Sequence, residues 1–212
     1  GVNLLGGRAW RYEFYPLVNP EIPDFDLLRA LNHGLIPAHY LTDNWEKSAK
    51  AYVNSYLKEE IQAEGLVRNL RSFANFLDVA AFSNGELINY SNIASDVGVD
   101  SKTVKEYYHI LVDTLLGNYL YPYKDTKKRK DFISVPKFYL FDVGITNRLM
   151  KRQIPELQGD IAGRAFEHYI FMELLAYRGL NDLEFDIRFW KVQSGLEVDF
   201  ILGDGEVAIE VK

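Results

Sequence analysis

The sequence predicts an α+β fold (mixed α/β) in three parts: a helical linker, a winged helix-turn-helix and a C-terminal sheet. Three observations predict it. Apolar residues recur at helical spacing through residues 45–64 and 70–82. Two shorter helical segments then meet at Gly98. Extended apolar runs dominate from Tyr119 onward, interrupted by one long apolar helix at Ile161–Tyr177.

Residues 1–25 are aromatic and interrupted by Pro16, Pro20 and Pro23, so they read as strand and loop. Asp24 or Asp26 can cap a short helix running to about Asn32, and Gly34 and Pro37 break the chain after it. Ala49, Tyr52, Val53, Tyr56 and Leu57 form the stripe of the 45–64 helix. Phe73, Phe76, Leu77 and Ala80 form that of the 70–82 helix, which Ser83, Asn84 and Gly85 end. Ser91 is read as the start of a helix closed by Gly98. Ser101 is read as the start of the next, with Val104, Tyr107, Tyr108 and Leu111 on its apolar side. Tyr119–Tyr123 and Phe132–Phe141 are extended and make a wing. Phe185–Val192, Leu196–Leu202 and Val207–Val211 read as three strands. The organisation expected is a linker over 1–68, a winged-helix-like domain over 69–141 and a sheet domain over 142–212.

With 48% hydrophobic and 25% charged residues, the 212-residue chain is globular rather than disordered. It has no cysteine, which excludes a disulfide framework, a thiolate zinc site and a cysteine nucleophile. No apolar run approaches the roughly 18 residues of a membrane span, so a cytoplasmic, non-membrane protein is expected. A first residue other than Met and an ending inside a strand pattern suggest a piece of a longer chain.

Charge is segregated. Residues 101–152 carry 11 Lys/Arg against 5 Asp/Glu, whereas residues 153–212 carry 5 against 12. A basic centre in a chain of net charge −6 points to a local polyanion site. Lys102, Thr103 and Lys105 stand at the start of the second helix, where side chains and free N–H groups can meet phosphate. Lys127, Lys128, Arg129 and Lys130 fall at the wing tip and suit backbone phosphates rather than base reading. DNA is therefore an expected partner. The plainer alternative is a protein-contact module with a solvated basic loop.

The acidic end carries the sharper chemistry. Asp204-Gly205 is a favoured hairpin turn, and counting outward from it sets Leu202 against Val207 and Phe200 against Ile209. Asp199 then faces Glu210, and Glu197 faces Lys212. Like charges directly opposed are destabilising, so a divalent cation such as Mg²⁺ or Mn²⁺ is expected between Asp199 and Glu210. Lys212 would orient a metal-activated water or neutralise charge. Glu167 joins them if its helix packs on the polar face of the hairpin. The alternative is an amphipathic hairpin with a solvated acidic face. The four histidines, His33, His39, His109 and His168, have no ligand spacing, and no phosphate-binding glycine loop is present.

Taken in order, Gly1–Ala9, Gly34–Pro37, Tyr56–Ile61, Lys137–Gly144, Gly163–Glu167 and Ser194–Asp199 resemble one family. It is the group of archaeal and bacterial AAA+ superfamily ATPases that carry an uncharacterised C-terminal domain. The resemblance implies that ATP is handled only by an upstream ATPase module, the chain's own partner, to which Gly1–Ala9 would be the tail. It also implies that the last third is a truncated restriction-endonuclease-like sheet of the PD-(D/E)xK nuclease superfamily. Asp199 matches the acidic position, Glu210 and Lys212 the E-x-K pair, and Glu167 the helix glutamate. Two functions follow as expectations: a DNA-binding, nuclease-like module, or a non-catalytic docking and regulatory module on the same scaffold.

Overall fold

A computed structural model describes residues 13–54, 61, 65, 67, 69–123 and 133–212. Among these it holds eight α-helices and one five-stranded mixed sheet. The wing-tip residues Lys127, Lys128, Arg129 and Lys130, and the segment Gly1–Ala9, lie outside the described residues.

Helix α1 (Leu27–His33) starts where Asp26 accepts a hydrogen bond from the Arg29 amide, one of the two caps the sequence offered. Gly34 ends it at φ +76°, and α2 (Pro37–Tyr40) and α3 (Trp45–Ala51) follow. The sequence offers no warning of the next interaction. Asp142, fully buried, accepts from the Leu35 amide at 2.7 Å and from the Ile145 amide at 2.9 Å. It thereby caps α7 (Val143–Leu149) and pins the turn after α1 to it. The backbones approach so closely that a Cβ on Gly144 would fall 2.2 Å from the Gly34 nitrogen. Gly144→Ala is therefore expected to destabilise the protein by about 3 kcal/mol in urea unfolding. An unchanged midpoint would show that α1 and α7 can separate freely.

The middle of the chain takes the winged arrangement. Helix α4 (Leu70–Phe82) leads through an isolated bridge, Leu87 to Lys137, into α5 (Tyr90–Val97), α6 (Ser101–Asp113) and the hairpin β1 (Gly117–Pro122) and β2 (Lys137–Leu140). Gly98 adopts the left-handed conformation that the tight turn requires, at φ +75°, ψ 39°. The caps shift by one or two residues. Asn89, not Ser91, caps α5, and Asp100, not Ser101, caps α6. Tyr108 is buried at the centre, edge-on to Phe76 and Phe138 at 4.9 and 4.7 Å.

The last third supplies α8 (Gly159–Leu180), β3 (Ile187–Lys191), β4 (Glu197–Leu202) and β5 (Val207–Ile209). β1 pairs antiparallel with β2 and parallel with β3, so the wing strands and the C-terminal strands form one sheet across residue 142. The β4–β5 register is the one read from the Asp204-Gly205 turn: Leu202 on Val207 and Phe200 on Ile209. Helix α8, however, packs on the apolar side of that hairpin, with Phe171 stacked on Phe200 at 5.9 Å, not on a polar face. Burial of Phe171, Phe189 and Phe200 outweighs any gain from facing charges.

Candidate functional site

The polar centre of the sheet forms through a register shift. Between Arg188 and Trp190 the β3–β4 pairing slips, so that Asp199 and Phe200 together oppose Phe189. A bulge of this kind changes which face a side chain points to. Simple alternation would have sent Glu197 and Asp199 away from α8. The bulge instead lets Glu197 reach the helix side.

There it meets Lys137 of β2. Lys137 is 4% exposed, and its Nζ lies 2.7 Å from Glu197 Oε1 and 3.1 Å from Glu167 Oε1. Its ammonium also sits over the Phe189 ring, 5.5 Å from the centroid. Tyr139 Oη donates to Glu167 Oε1, and Lys191 Nζ donates to Glu197 Oε2. One buried ammonium thus bridges a helix carboxylate and a strand carboxylate. Burial alone would push Lys137 down, but Glu167 and Glu197 outweigh it and hold its pKa above the ordinary lysine value. Burial would raise the Glu197 carboxyl, yet hydrogen bonds from Lys137 and Lys191 hold it below the usual range. Tyr139 is pushed well above the usual phenol value by burial and then by Glu167, Asp199 and Glu197.

The sequence-derived residues distribute unevenly over this centre. Glu167 and Asp199 both act on Tyr139. Glu210 and Lys212 are exposed and outside β5. Asp199 does not face Glu210 across a ladder: its Oδ2 accepts from the Val211 amide at 2.9 Å, because the strand pairing stops at Ile209. Among the described residues no three His, Cys, Asp or Glu side chains are placed to hold a metal ion together. Of the oxygens that Mg²⁺ or Mn²⁺ would need, Glu167 Oε1 accepts from Lys137 and Tyr139, and Asp199 Oδ2 accepts from the Val211 amide. With those atoms engaged, the Lys137 ammonium is the cation that Glu167 and Glu197 share.

The expected phosphate site at the start of α6 is also altered. The Lys102 and Thr103 amides both donate to Asp100 Oδ1, and the Thr103 hydroxyl donates to Asp100 Oδ2. A carboxylate therefore takes the N–H groups an anion would use. Lys102 and Lys105 remain exposed, and Lys105 Nζ lies over the Tyr90 ring at 5.2 Å.

With this geometry in place, the comparisons with known proteins divide the chain. The family described as Domain of unknown function (DUF8612) matches residues 24–156. The chain belongs to the DUF8612 family. Its DUF8612 segment carries α1 to α7 with β1 and β2, and so supplies Lys137 and Tyr139. A second family, Domain of unknown function (DUF4143), matches residues 162–212 and covers Glu167, Lys191, Glu197 and Asp199. The buried ion cluster thus joins the DUF8612 segment to the DUF4143 segment. Neither a curated protein nor a solved structure matches the chain.

Sequence pattern alone does not mark Lys137, Tyr139, Lys191 and Glu197 as site residues. The available signal was a lysine next to the run Phe138–Phe141, where a solvated side chain is out of place. Every residue of β2 is in fact buried.

Proposed function

We propose that this chain is the C-terminal module of an ATPase of the AAA+ superfamily and serves it as a non-catalytic docking and regulatory scaffold of nuclease-like build. The bridge from Lys137 to Glu167 and Glu197 carries this reading. Two ammoniums, Lys137 and Lys191, balance Glu167 and Glu197, and their contacts tie β2, β3 and β4 to α8, which is what a structural centre needs. The match to DUF4143, a domain often found C-terminal to ATPases, supports the ATPase context. No helix among the described residues is long and apolar enough to cross a membrane. A cleavage assay tests the reading. Supercoiled plasmid with Mg²⁺ or Mn²⁺ should stay intact with the parent chain and with Glu167→Gln alike. Cleavage by the parent that Glu167→Gln or Asp199→Asn abolishes would restore metal-dependent phosphodiester hydrolysis.

DNA binding is a second reading, and the helix-turn-helix with its hairpin favours it, as do exposed Lys102 and Lys105. It is independent of cleavage. If both lysines meet phosphates, Lys102→Ala with Lys105→Ala should flatten the salt dependence of duplex binding. The change in slope of log K against log salt should approach 2, about 0.9 for each phosphate no longer neutralised. An unchanged slope would remove the start of α6 from the interface.

A further inference from the structure

A narrow cleft opens where the end of α7 meets the start of α8. Asn84, Thr146, Asn147, Arg152, Arg164 and His168 line it, and its volume is about 30 Å³. Its floor is internally satisfied. The Thr146 hydroxyl donates to the Asp142 carbonyl, His168 Nε2 donates to the Leu140 carbonyl, and Asn84 bonds His168 Nδ1 and the Leu140 amide. What remains are two guanidiniums. Arg152 is held from below by the Asn147 oxygen, which takes its Nε and Nη2 at 2.9 and 2.6 Å. Among the described residues it has no carboxylate partner, although it is partly buried. Arg164 stands at the mouth, exposed, and pairs with Glu86. The two guanidiniums feel each other: burial and then Arg164 depress the pKa of Arg152, and Arg152 in turn disfavours protonation of His168.

We infer that this cleft binds a terminal phosphate group, from inorganic phosphate or a small phosphomonoester, between Arg152 and Arg164. A partly buried guanidinium without a counter-charge is unfavourable, and an anion removes that penalty. Among the described residues, Arg152 Nη1 and the Nε and Nη2 of Arg164 have no hydrogen-bond partner, which leaves donors on both planar guanidiniums for phosphate oxygens. Its volume admits about one water-sized group. One oxygen of a terminal phosphate therefore seats inside while the others stay at the mouth beside Arg164. A duplex backbone phosphate is a diester with only two unbridged oxygens, so it cannot place one inside and two at the mouth. Glu86 is then a competitor for Arg164 and tunes the affinity.

The test is a thermal-melting titration of the chain with sodium phosphate against sodium chloride at matched ionic strength. Phosphate should raise the melting temperature and chloride should not. Arg164→Ala, on an exposed side chain, should weaken the apparent affinity about tenfold. Glu86→Gln should tighten it, which a merely structural pair would not do. Arg152→Lys should lose most of the effect, since an ammonium cannot keep the fork while bonding Asn147. Equal responses to phosphate and chloride, or identical titrations for the parent, Arg164→Ala and Glu86→Gln, would overturn the site. A duplex without terminal phosphates that displaces inorganic phosphate would overturn the assignment to a terminal phosphate in favour of a backbone diester.

Discussion

Lys137→Met is expected to destabilise the protein by about 3–5 kcal/mol, the usual result of removing one partner from a buried ion cluster. Glu167 and Glu197 would lose their shared ammonium at 3.1 and 2.7 Å. Tyr139 would be left donating to an uncompensated carboxylate in a nearly closed environment. Glu167→Gln alone should cost less, because Lys137 keeps Glu197. Combining Lys137→Met with Glu167→Gln and Glu197→Gln should recover most of the loss, since it removes the buried unpaired charges and leaves only Lys191, which is partly exposed. Urea unfolding of the four proteins reads this out. A Lys137→Met variant within about 1 kcal/mol of the parent would mean that the cluster is solvated and contributes little, as exposed pairs do.

The second large effect is a pH dependence with two opposing parts. Burial pushes His168 down to about 4, opposed by its hydrogen bond to the Leu140 carbonyl. Burial pushes Asp142 up to about 6, opposed by amides of Leu35 and Ile145. A depressed histidine keeps the folded state neutral while the unfolded chain takes up a proton. Its contribution to stability is therefore intact above about 6.5 and lost as pH falls toward 4. A raised aspartate does the reverse. The folded state holds a proton that the unfolded chain releases, so stability falls as pH rises from about 4 to 6. The two largely cancel in the parent. In His168→Gln the histidine part disappears, which is worth about 3 kcal/mol between the two limits. The variant should then gain stability relative to the parent on going from about pH 7 to about pH 4.5. Parallel pH profiles for the two proteins would show that His168 titrates normally in the fold.

Local signals in the chain determine some of this architecture directly. Asp204-Gly205 fixes the β4–β5 register because a short hairpin loop leaves no freedom to slip. Gly98 between two amphipathic segments locates the helix-turn-helix for the same reason: one residue must adopt positive φ. What could not be read depends on neighbours distant in sequence. The bulge at Asp199 and Phe200 is set by pairing with β3, and it alone turns Glu197 toward Lys137. Alternation within β4 contains no trace of it. The cap Asp142 looks ordinary in sequence, yet its second oxygen reaches across 107 residues to Leu35. The acidic pattern Asp199, Glu210 and Lys212 is legible, but its expected geometry assumed more ladder than β5 makes, since pairing ends at Ile209. Lys137 is hard to read because a lysine in a strand is normally an edge or surface residue.

The measurement that bears most directly on the scaffold reading is the melting temperature of the parent and of Asp199→Asn in Mg²⁺, in Mn²⁺, and in monovalent salt of equal ionic strength. If Lys137 is the resident cation of the cluster, divalent and monovalent salts should act alike. The parent and the variant should then give the same curves apart from a constant offset. A divalent-specific rise in the parent that Asp199→Asn removes would contradict it and make Asp199 a metal ligand.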